Sequence, residues 1–310
     1  MARATGALKK GDVINDTYTV QCLIGQGAFG EVYRVKHKYM GLQVLKLFKS
    51  SYVENPDLDM VTNEARILSA LTQRNVVRVF ETNSFSGDEG KRFFITMGFV
   101  SGESLAQLLK REIFLDIPVA LSIQQALLRG LWEAHRQNPP IIHRDISPDN
   151  VLLSYADQTP QALLSDFGLA QSVDQMSHIA GAAGKYLYFA PECFWGAYLP
   201  SSDVFSAGIV LYRMITGAYP WDYEFSAMTE SDKSKVTVEV AKARNCDPKP
   251  PSQRNPDCSP RMDRIVMRAI SKDLEHRYRN AEEFLRDIRD EMENVCDSAE
   301  PPIALQSLYY

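Results

Sequence analysis

The chain has 310 residues, of which 45% are hydrophobic and 24% are charged, and its formal net charge is −5. This length allows one large domain or two smaller ones, and the composition is that of an ordinary globular protein. We expect no nucleic-acid partner, because such proteins usually carry an excess of basic residues. The five cysteines are scattered and odd in number, which predicts neither a disulfide framework nor a zinc site.

The hydropathy of the chain predicts neither a signal peptide nor a membrane-spanning segment. The N-terminal segment, MARATGALKK, lacks the apolar core of a signal peptide. No run approaches the roughly 20 apolar residues of a membrane span. We therefore expect a cytoplasmic protein, and the sequence indicates no particular oligomeric state.

The first third of the chain is predicted to be mainly β-structure. TYTVQCLIG, EVYRVKHK and GLQVLKLF are strand-like runs, and VVRVFE and RFFITMGFV follow later with the same character. Between the two groups, residues 58–71 carry apolar side chains at three- and four-residue steps, which predicts a helix.

The remainder of the chain, from Ser104 onward, is predicted to be mainly helical. ALSIQQALLRGLWEAH has one apolar face, and DVFSAGIVLYRMITG is apolar nearly all round, which predicts a buried helix. Asn280 followed by Glu283 resembles a capping box at the start of AEEFLRDIRDEMENV. Residues 227–260 are polar and rich in proline, so we expect this segment to be partly loop.

A glycine-rich motif, GQGAFGEV, lies between the first two strands. Its glycines would let backbone N–H groups close over phosphate oxygens. The G-x-G-x-x-G pattern also occurs in dinucleotide-binding folds, where it leads into a helix. Here a strand-like run follows, which favours a β-hairpin that binds a nucleotide, although a hairpin without a ligand is the alternative. The residues concerned are Gly25, Gln26, Gly27, Gly30 and Val32.

A lysine on the third strand is a second candidate for phosphate binding. Lys46 lies in QVLKLF, and Glu64 lies on the helix predicted next. A helical glutamate can supply the counter-charge that an inward-facing lysine needs, and the pair would hold the ammonium against the α and β phosphates. The alternative is a surface lysine and an unrelated glutamate.

Three short motifs in the middle of the chain complete the pattern. In HRDISPDN, Asp145 would orient an attacking hydroxyl and take its proton, and Asn150 would hold a second Mg²⁺. In SDFG, Asp166 would bind the Mg²⁺ that bridges the β and γ phosphates. The third motif, APE, ends at Glu192. Each motif is short, but all of them in this order and context are not expected by chance.

With these motifs the chain resembles a eukaryotic-type (Hanks-type) protein serine/threonine kinase, from about Tyr18 to about Ile288. The resemblance implies an α+β, two-lobed protein kinase fold, with a small antiparallel-β N-lobe carrying one helix and a larger, mainly helical C-lobe. The implied boundaries are an N-terminal extension at 1–17, the N-lobe at 18–100, the C-lobe at 101–292 and a tail at 293–310. The implied cofactors are ATP and Mg²⁺, with Mn²⁺ as an alternative metal, and the substrate is a protein that the sequence does not identify.

The same resemblance assigns further residues. Asp203 matches the buried aspartate that holds the backbone of the catalytic loop, and Arg277 matches the arginine that pairs with Glu192. Met97 falls at the gatekeeper position beside the nucleotide. Adenine would meet the side chains of Val32, Val44 and Leu152 and backbone groups of Gly98 and Val100.

Two positions depart from the usual family pattern in a complementary way. Ser147 stands where the catalytic loop usually carries a lysine. In GKYLYFAPE, counted back from Glu192, Lys185 stands where the usual pattern has a threonine. We expect Lys185 to bring its ammonium to the transferred phosphate and to Asp145, while Ser147 supplies a hydroxyl. Some bacterial members resemble this chain in carrying the same pair.

A regulatory role is predicted for Arg144, because a buried arginine before the catalytic aspartate favours a phosphorylated partner. The segment LAQSVDQMSHIAGAA offers Ser172 and Ser177 as phosphorylation sites, and Ser177 is the better placed.

Two other classes of protein compete with an active, autophosphorylating serine/threonine kinase. The first is a catalytically impaired pseudokinase that acts as a nucleotide-binding interaction module, with Ser147 as the mark of lost activity. The second is a small-molecule kinase, which usually lacks the APE segment and the partner arginine that this chain has.

Overall fold

The computed structural model describes residues 6–27, 30–49, 71–87, 90–155, 161–167, 183–223 and 233–298. Glu64 and nearly all of the helix predicted at 58–71 lie outside these ranges, as do Ser172 and Ser177. The chain divides into two compact units. The first holds the residues up to Thr72 together with Val77–Val100, and the second holds Gln73–Val76, Ser101–Phe167 and the described residues from 183 onward.

The first unit is built on an antiparallel sheet, which confirms the predicted β-rich first third. In chain order its strands are β1 (Val13–Ile14), β2 (Tyr18–Gln26), β3 (Gly30–His37), β4 (Gly41–Phe48), β5 (Val79–Gly87) and β6 (Gly90–Gly98). They lie in the order β1-β2-β3-β4-β6-β5. The edge strand β1 comes from the segment predicted as an N-terminal extension, and it pairs with β2.

Alternation along the strands gives this sheet two different faces. The residues Tyr33 and Val35 on β3, Leu45 and Leu47 on β4 and Phe94 on β6 are all 0% exposed. They form the apolar core of the first unit. Residues that alternate with them on β3 and β4 lie on the opposite, half-exposed face.

The second unit is mainly helical, as the sequence predicted. Its strands are β7 (Gly102–Ser104), β8 (Val151–Ser154) and β9 (Gln161–Leu164), and they form a small sheet in that order. Its helices are α1 (Leu105–Arg111), α2 (Ile117–His135), α3 (Pro200–Thr216), α4 (Lys233–Ala243), α5 (Pro260–Ala269) and α6 (Ala281–Ser298). Helix α4 occupies part of the segment predicted to be partly loop, and α6 continues into the predicted tail.

Helix α3 is buried on almost every side, which confirms the prediction from its all-round apolar sequence. It packs against α2, α5 and α6. Gly208 allows the close approach to the end of α5, because an added Cβ would lie 2.8 Å from the side chains of Ala269 and Ile270. The first turn of α3 carries Asp203 into this buried environment.

Two short 3-10 segments precede α3. The first, Ala183–Tyr188, carries Lys185, and the second, Pro191–Trp195, carries Glu192. At the start of α6, the side chain of Asn280 accepts hydrogen bonds from the backbone of Glu282 and Glu283, at 3.0 and 3.2 Å, as a helix cap does. Within the described ranges, no helix combines the length and apolar character needed to cross a bilayer.

Candidate active site

The backbone that carries Asp145 is held by one buried carboxylate. Asp203 is 1% exposed, and its two oxygens accept hydrogen bonds from the backbone N–H groups of His143 (2.7 Å) and Arg144 (2.8 Å). Arg144 has a φ angle of 67°, in the left-handed region that non-glycine residues rarely adopt. The carboxylate therefore fixes a turn that the chain alone would not favour.

A third partner of this carboxylate is His135, which the sequence did not point to. Its Nε2 lies 3.0 Å from Asp203 Oδ2, and its Nδ1 accepts a hydrogen bond from the backbone N–H of Ala281 at 3.3 Å. Because Nδ1 is an acceptor, the ring proton is assigned to Nε2, which donates to Asp203. His135 thus links α2, α3 and the start of α6 at one buried point.

The ring of His143 joins the Asp145 segment to the segment around Asp166. Its Nε2 donates to the carbonyl of Ser165 (2.9 Å), and its Nδ1 accepts from the backbone N–H of Asp145 (3.3 Å). The ring also lies 4.5 Å from that of Phe167, centroid to centroid. Burial lowers the pKa of His143, against the raising effect of nearby carboxylates. The ring is therefore neutral at pH 7.

The carboxylate of Asp145 receives two side-chain donors on the same oxygen. Asn150 Nδ2 donates to Oδ2 at 3.0 Å and to the backbone oxygen of Asp145 at 2.7 Å. Lys185 Nζ also donates to Oδ2. The side chains of Lys185 and Asp145 are 33% and 26% exposed, so the pair remains accessible to a ligand.

Ser147 does not join this group. Its side chain is almost completely buried, and its Oγ has no hydrogen-bond partner among the described residues. The structure therefore brings Lys185 to Asp145, but it does not bring the Ser147 hydroxyl to either of them.

Asn150 and Asp166 are the oxygen donors that could hold a divalent metal. Ser165 connects them, since its backbone N–H and its Oγ both donate to the carbonyl of Asn150, at 2.9 and 3.1 Å. Asp166 follows directly, with a φ angle of 57°. Asn150 uses its side-chain nitrogen in both hydrogen bonds to Asp145, so its amide oxygen is the atom that would ligate a cation. One carboxylate and one amide oxygen suit Mg²⁺, which prefers oxygen ligands and keeps several waters.

The segment after Lys185 is fixed at its far end by a buried ion pair. Arg277 is 1% exposed and donates to both oxygens of Glu192, at 2.6 and 3.3 Å. Ser202 Oγ donates to Glu192 Oε1 as well, at 2.7 Å. Burial raises the pKa of Glu192, but the hydrogen bonds from Arg277 and Ser202 outweigh it and hold this pKa below its usual value.

Arg244 fixes the same segment closer to Lys185, and no motif in the sequence indicated it. This side chain is 3% exposed, and its Nη2 donates to the backbone oxygens of Tyr186 (3.2 Å) and Leu187 (2.9 Å). Its guanidinium carbon lies 4.9 Å from the ring centroid of Phe205 and 5.5 Å from that of Trp221. Because Arg244 follows α4 in a segment predicted to be partly loop, its burial could not be foreseen.

In the first unit, strand register gathers several predicted nucleotide-binding residues on one sheet face. Lys46 lies opposite Val32, and Val44 lies opposite Met97. Directly opposed residues share a face, and so do residues two apart on one strand. These four side chains therefore occupy the half-exposed face of the sheet, whereas the apolar core lies on the other.

The glycine-rich motif is a β-hairpin, as predicted, rather than a strand-to-helix turn. Gly25 pairs with Val32 and Gln26 with Glu31, and the N–H of Gly27 donates to Gly30 O at 2.8 Å. An added Cβ on Gly30 would collide with the backbone oxygen of Leu47 on β4, so glycine is required there.

Gly98, Val100, Leu152 and Arg144 are the remaining predicted residues. The N–H of Gly98 donates to Arg78 O at 2.9 Å, so an adenine contact through Gly98 would have to use its carbonyl. Leu152 lies on β8 of the second unit, and Val100 follows β6. The guanidinium carbon of Arg144 lies 5.4 Å from the ring centroid of Tyr198.

Comparison with known proteins agrees with this geometry. A family model described as "Protein kinase domain" matches residues 18–287. Serine/threonine-protein kinase pkn3 of Myxococcus xanthus is 30% identical over 303 residues, covering 93% of this chain and 53% of that protein. Serine/threonine-protein kinase PrkC of Bacillus subtilis is 28% identical over 284 residues, covering 90% of this chain and 41% of that protein. The chain thus spans about half or less of these relatives' length.

A solved structure supports the same conclusion. A double mutant of the PknI kinase domain of Mycobacterium tuberculosis matches with a TM-score of 0.70 and 25% identity, covering 92% of this chain and 99% of that one. Members of this family use ATP and a divalent metal. The predicted kinase fold and the predicted family are therefore both confirmed, and the chain belongs to the protein kinase family, where it is similar to bacterial serine/threonine kinases of the Hanks type.

Proposed function

We propose that the chain is a protein serine/threonine kinase that transfers the γ-phosphoryl group of Mg-ATP to a protein hydroxyl, including its own. The observation that carries the proposal is the pair of hydrogen bonds that Lys185 and Asn150 donate to one oxygen of Asp145. The names of the bacterial relatives favour serine and threonine as acceptors and give no support to the pseudokinase alternative.

Asp145 is the proposed general base and orienting group. Because Lys185 and Asn150 both donate to its Oδ2, its Oδ1 is the oxygen that would accept the proton of the substrate hydroxyl. The Lys185 ammonium has three N–H donors. One is used on Asp145, and another would reach the transferred phosphoryl group and balance its charge.

The proposed metal ligands are Asn150 and Asp166. When bound, Mg²⁺ supplies positive charge against the phosphate oxygens. Lys46, paired with Glu64, would hold the α and β phosphates. Ser147 would contribute its hydroxyl near the transferred group. The proposed nucleotide-contacting residues are Gly25, Gln26, Gly27, Gly30, Val32, Val44, Met97, Gly98, Val100 and Leu152.

We also propose control by phosphorylation, with Ser177 or Ser172 as the modified residue and Arg144 as its partner. Phosphatase treatment would then lower the rate, and Ser177→Ala would make the protein insensitive to this treatment. A rate that is unchanged after complete dephosphorylation would contradict the idea.

The test of the proposed function is incubation with labelled Mg-ATP, alone and with a generic protein substrate, followed by phosphoamino-acid analysis. We expect label on serine or threonine in the wild type and none in Asp166→Asn. Nucleotide binding without transfer would indicate a pseudokinase, and transfer only to an added small-molecule acceptor would indicate a small-molecule kinase.

A further inference from the structure

A cavity of about 350 Å³ in the second unit borders the Lys185–Asp145 pair. Its wall includes Ser147, Lys185 and Tyr188 from the segments already described. Lys110 at the end of α1 also lines it, as do Arg213 near the end of α3 and Tyr219 after that helix. The cavity lies entirely within one unit of the fold and is open to solvent.

Cationic side chains predominate in this cavity. Lys110, Lys185 and Arg213 line it, against the single carboxylate of Asp149, which is exposed. Lys185 already contacts Asp145. Lys110 and Arg213 form no ion pair with any carboxylate of the described ranges, so their charge is available to a ligand.

Arg213 is held in place although no carboxylate of the described residues pairs with it. Its guanidinium carbon lies 4.4 Å from the ring centroid of Tyr219, which orients the side chain along the wall. Its Nε is buried and makes no hydrogen bond to any described residue. A guanidinium fixed in this way is suited to a carboxylate or a phosphate group, which can accept two of its N–H donors together.

The hydroxyl of Ser147 is a second, independent observation that points to a ligand. This residue lines the cavity and is 2% exposed, and its Oγ has no partner among the described residues. A buried hydroxyl without a hydrogen bond is unfavourable, and most such groups in folded proteins are paired. Because the Oγ itself is almost fully covered, an oxygen acceptor inside the cavity would reach it after a rotation of the Ser147 side chain.

We propose that this cavity is a substrate subsite that takes an anionic side chain of the protein substrate, either a carboxylate or a phosphorylated residue. The proposal rests on the proposed function, because the cavity borders the group that would orient the acceptor hydroxyl. The bound side chain would therefore lie within a few residues of that hydroxyl. An arginine or lysine at the same position would be repelled by Lys110 and Arg213.

The test uses peptides with a single acceptor serine and one varied residue, placed in turn at each nearby position on both sides. The varied residue is Gln, Glu, phosphoserine or Arg. At one of these positions we expect the Glu or phosphoserine peptide to have a kcat/KM roughly tenfold above that of the Gln peptide, mainly because its KM is lower. A roughly tenfold difference is the effect expected of one charge-assisted hydrogen bond. The ratio of phosphoserine to Glu identifies which anion the subsite prefers.

Substitutions of the residues that line the cavity test whether they cause the preference for an anionic side chain. Arg213→Gln should bring the Glu/Gln ratio close to one, and Arg213→Glu should favour the Arg peptide instead. Lys110→Gln, at an exposed position, should lower the same ratio. Arg279→Gln is the matched control, since Arg279 is 85% exposed beside its own ion-pair partner Glu283 and lines no part of the cavity.

Transfer to these peptides with no preference for an anion at any position would overturn the subsite and leave the proposed function intact. An anion preference that survives in both Arg213→Gln and Lys110→Gln would equally overturn it. No transfer to any peptide or protein, and no autophosphorylation, would overturn the proposed function and the subsite together.

Discussion

The ammonium group of Lys185 donates a hydrogen bond to the carboxylate of Asp145, although 40 residues separate them along the chain. The lysine belongs to a 3-10 segment that precedes α3, and the aspartate belongs to the loop that Asp203 holds. Ser147, in the position where the family usually has a loop lysine, makes no such contact. The positive charge at the proposed catalytic carboxylate therefore comes from a neighbouring segment.

If the charge at Asp145 matters more than the segment that supplies it, a lysine moved from position 185 to position 147 should still support catalysis. Ser147→Lys combined with Lys185→Thr should recover at least about tenfold of the rate that Lys185→Thr alone loses, because the ammonium again reaches Asp145. The measurement is kcat with a generic protein substrate for both single variants and the double variant. A double variant no faster than Lys185→Thr would show that the site depends on this particular geometry.

Arg244 should act through the segment that carries Lys185. Arg244→Ala removes the group that donates hydrogen bonds to the backbone oxygens of Tyr186 and Leu187. These two buried residues then lose that hydrogen bond. We expect a loss of about 2–4 kcal/mol in the free energy of unfolding. We also expect a lower kcat with an unchanged nucleotide Kd, since no nucleotide contact is proposed there.

Denaturant unfolding and nucleotide titration measure these two effects separately. Arg244→Lys keeps a charged donor and should retain more of kcat than Arg244→Ala. If both variants lose stability but keep full kcat, Arg244 has a structural role alone.

Stability should depend on pH through His143. Burial lowers the pKa of this ring in the folded protein, so between the lowered value and the unfolded value of about 6.5 the unfolded chain binds more protons. The contribution is therefore fully present above about pH 6.5 and is lost progressively as the pH falls below it. Urea unfolding between pH 5 and 8 measures this slope.

A variant without an ionisable ring should weaken the dependence on pH. His143→Gln should flatten the curve below pH 6.5, at a cost in stability at every pH, because its contacts to Ser165 and Asp145 are altered. His276→Gln, at an exposed position, is the control that keeps the His143 contribution. Equal slopes in wild type and His143→Gln would contradict the assignment.

Local patterns were sufficient to predict much of the fold. EVYRVKHK and GLQVLKLF were predicted as strands, and in the structure their alternation puts Tyr33 and Leu45 in the core of the first unit and Lys46 on the other face. The all-round apolar sequence of α3 predicts its burial. Both signals depend on the periodicity of a single element, which is why they can be read without tertiary information.

Residues whose role depends on distant partners were not predicted from any local pattern. His135 contacts Asp203 and the start of α6, and Arg244 contacts the carbonyls of Tyr186 and Leu187. Nothing in their own neighbourhoods indicates these contacts. Lys185 was predicted only because a spacing counted back from Glu192 assigned it a place in a family motif.

The most direct test of the account is kcat for Lys185→Ala, measured beside its nucleotide Kd. Loss of the ammonium should lower kcat by about 10²–10³-fold, the effect of removing one charge-stabilising donor, while Kd stays within about twofold. Lys242→Ala, at an exposed position on α4, is the matched control and should keep the wild-type kcat. A Lys185→Ala protein that binds nucleotide and turns over at the wild-type rate would contradict the claim that this lysine supplies the charge at Asp145.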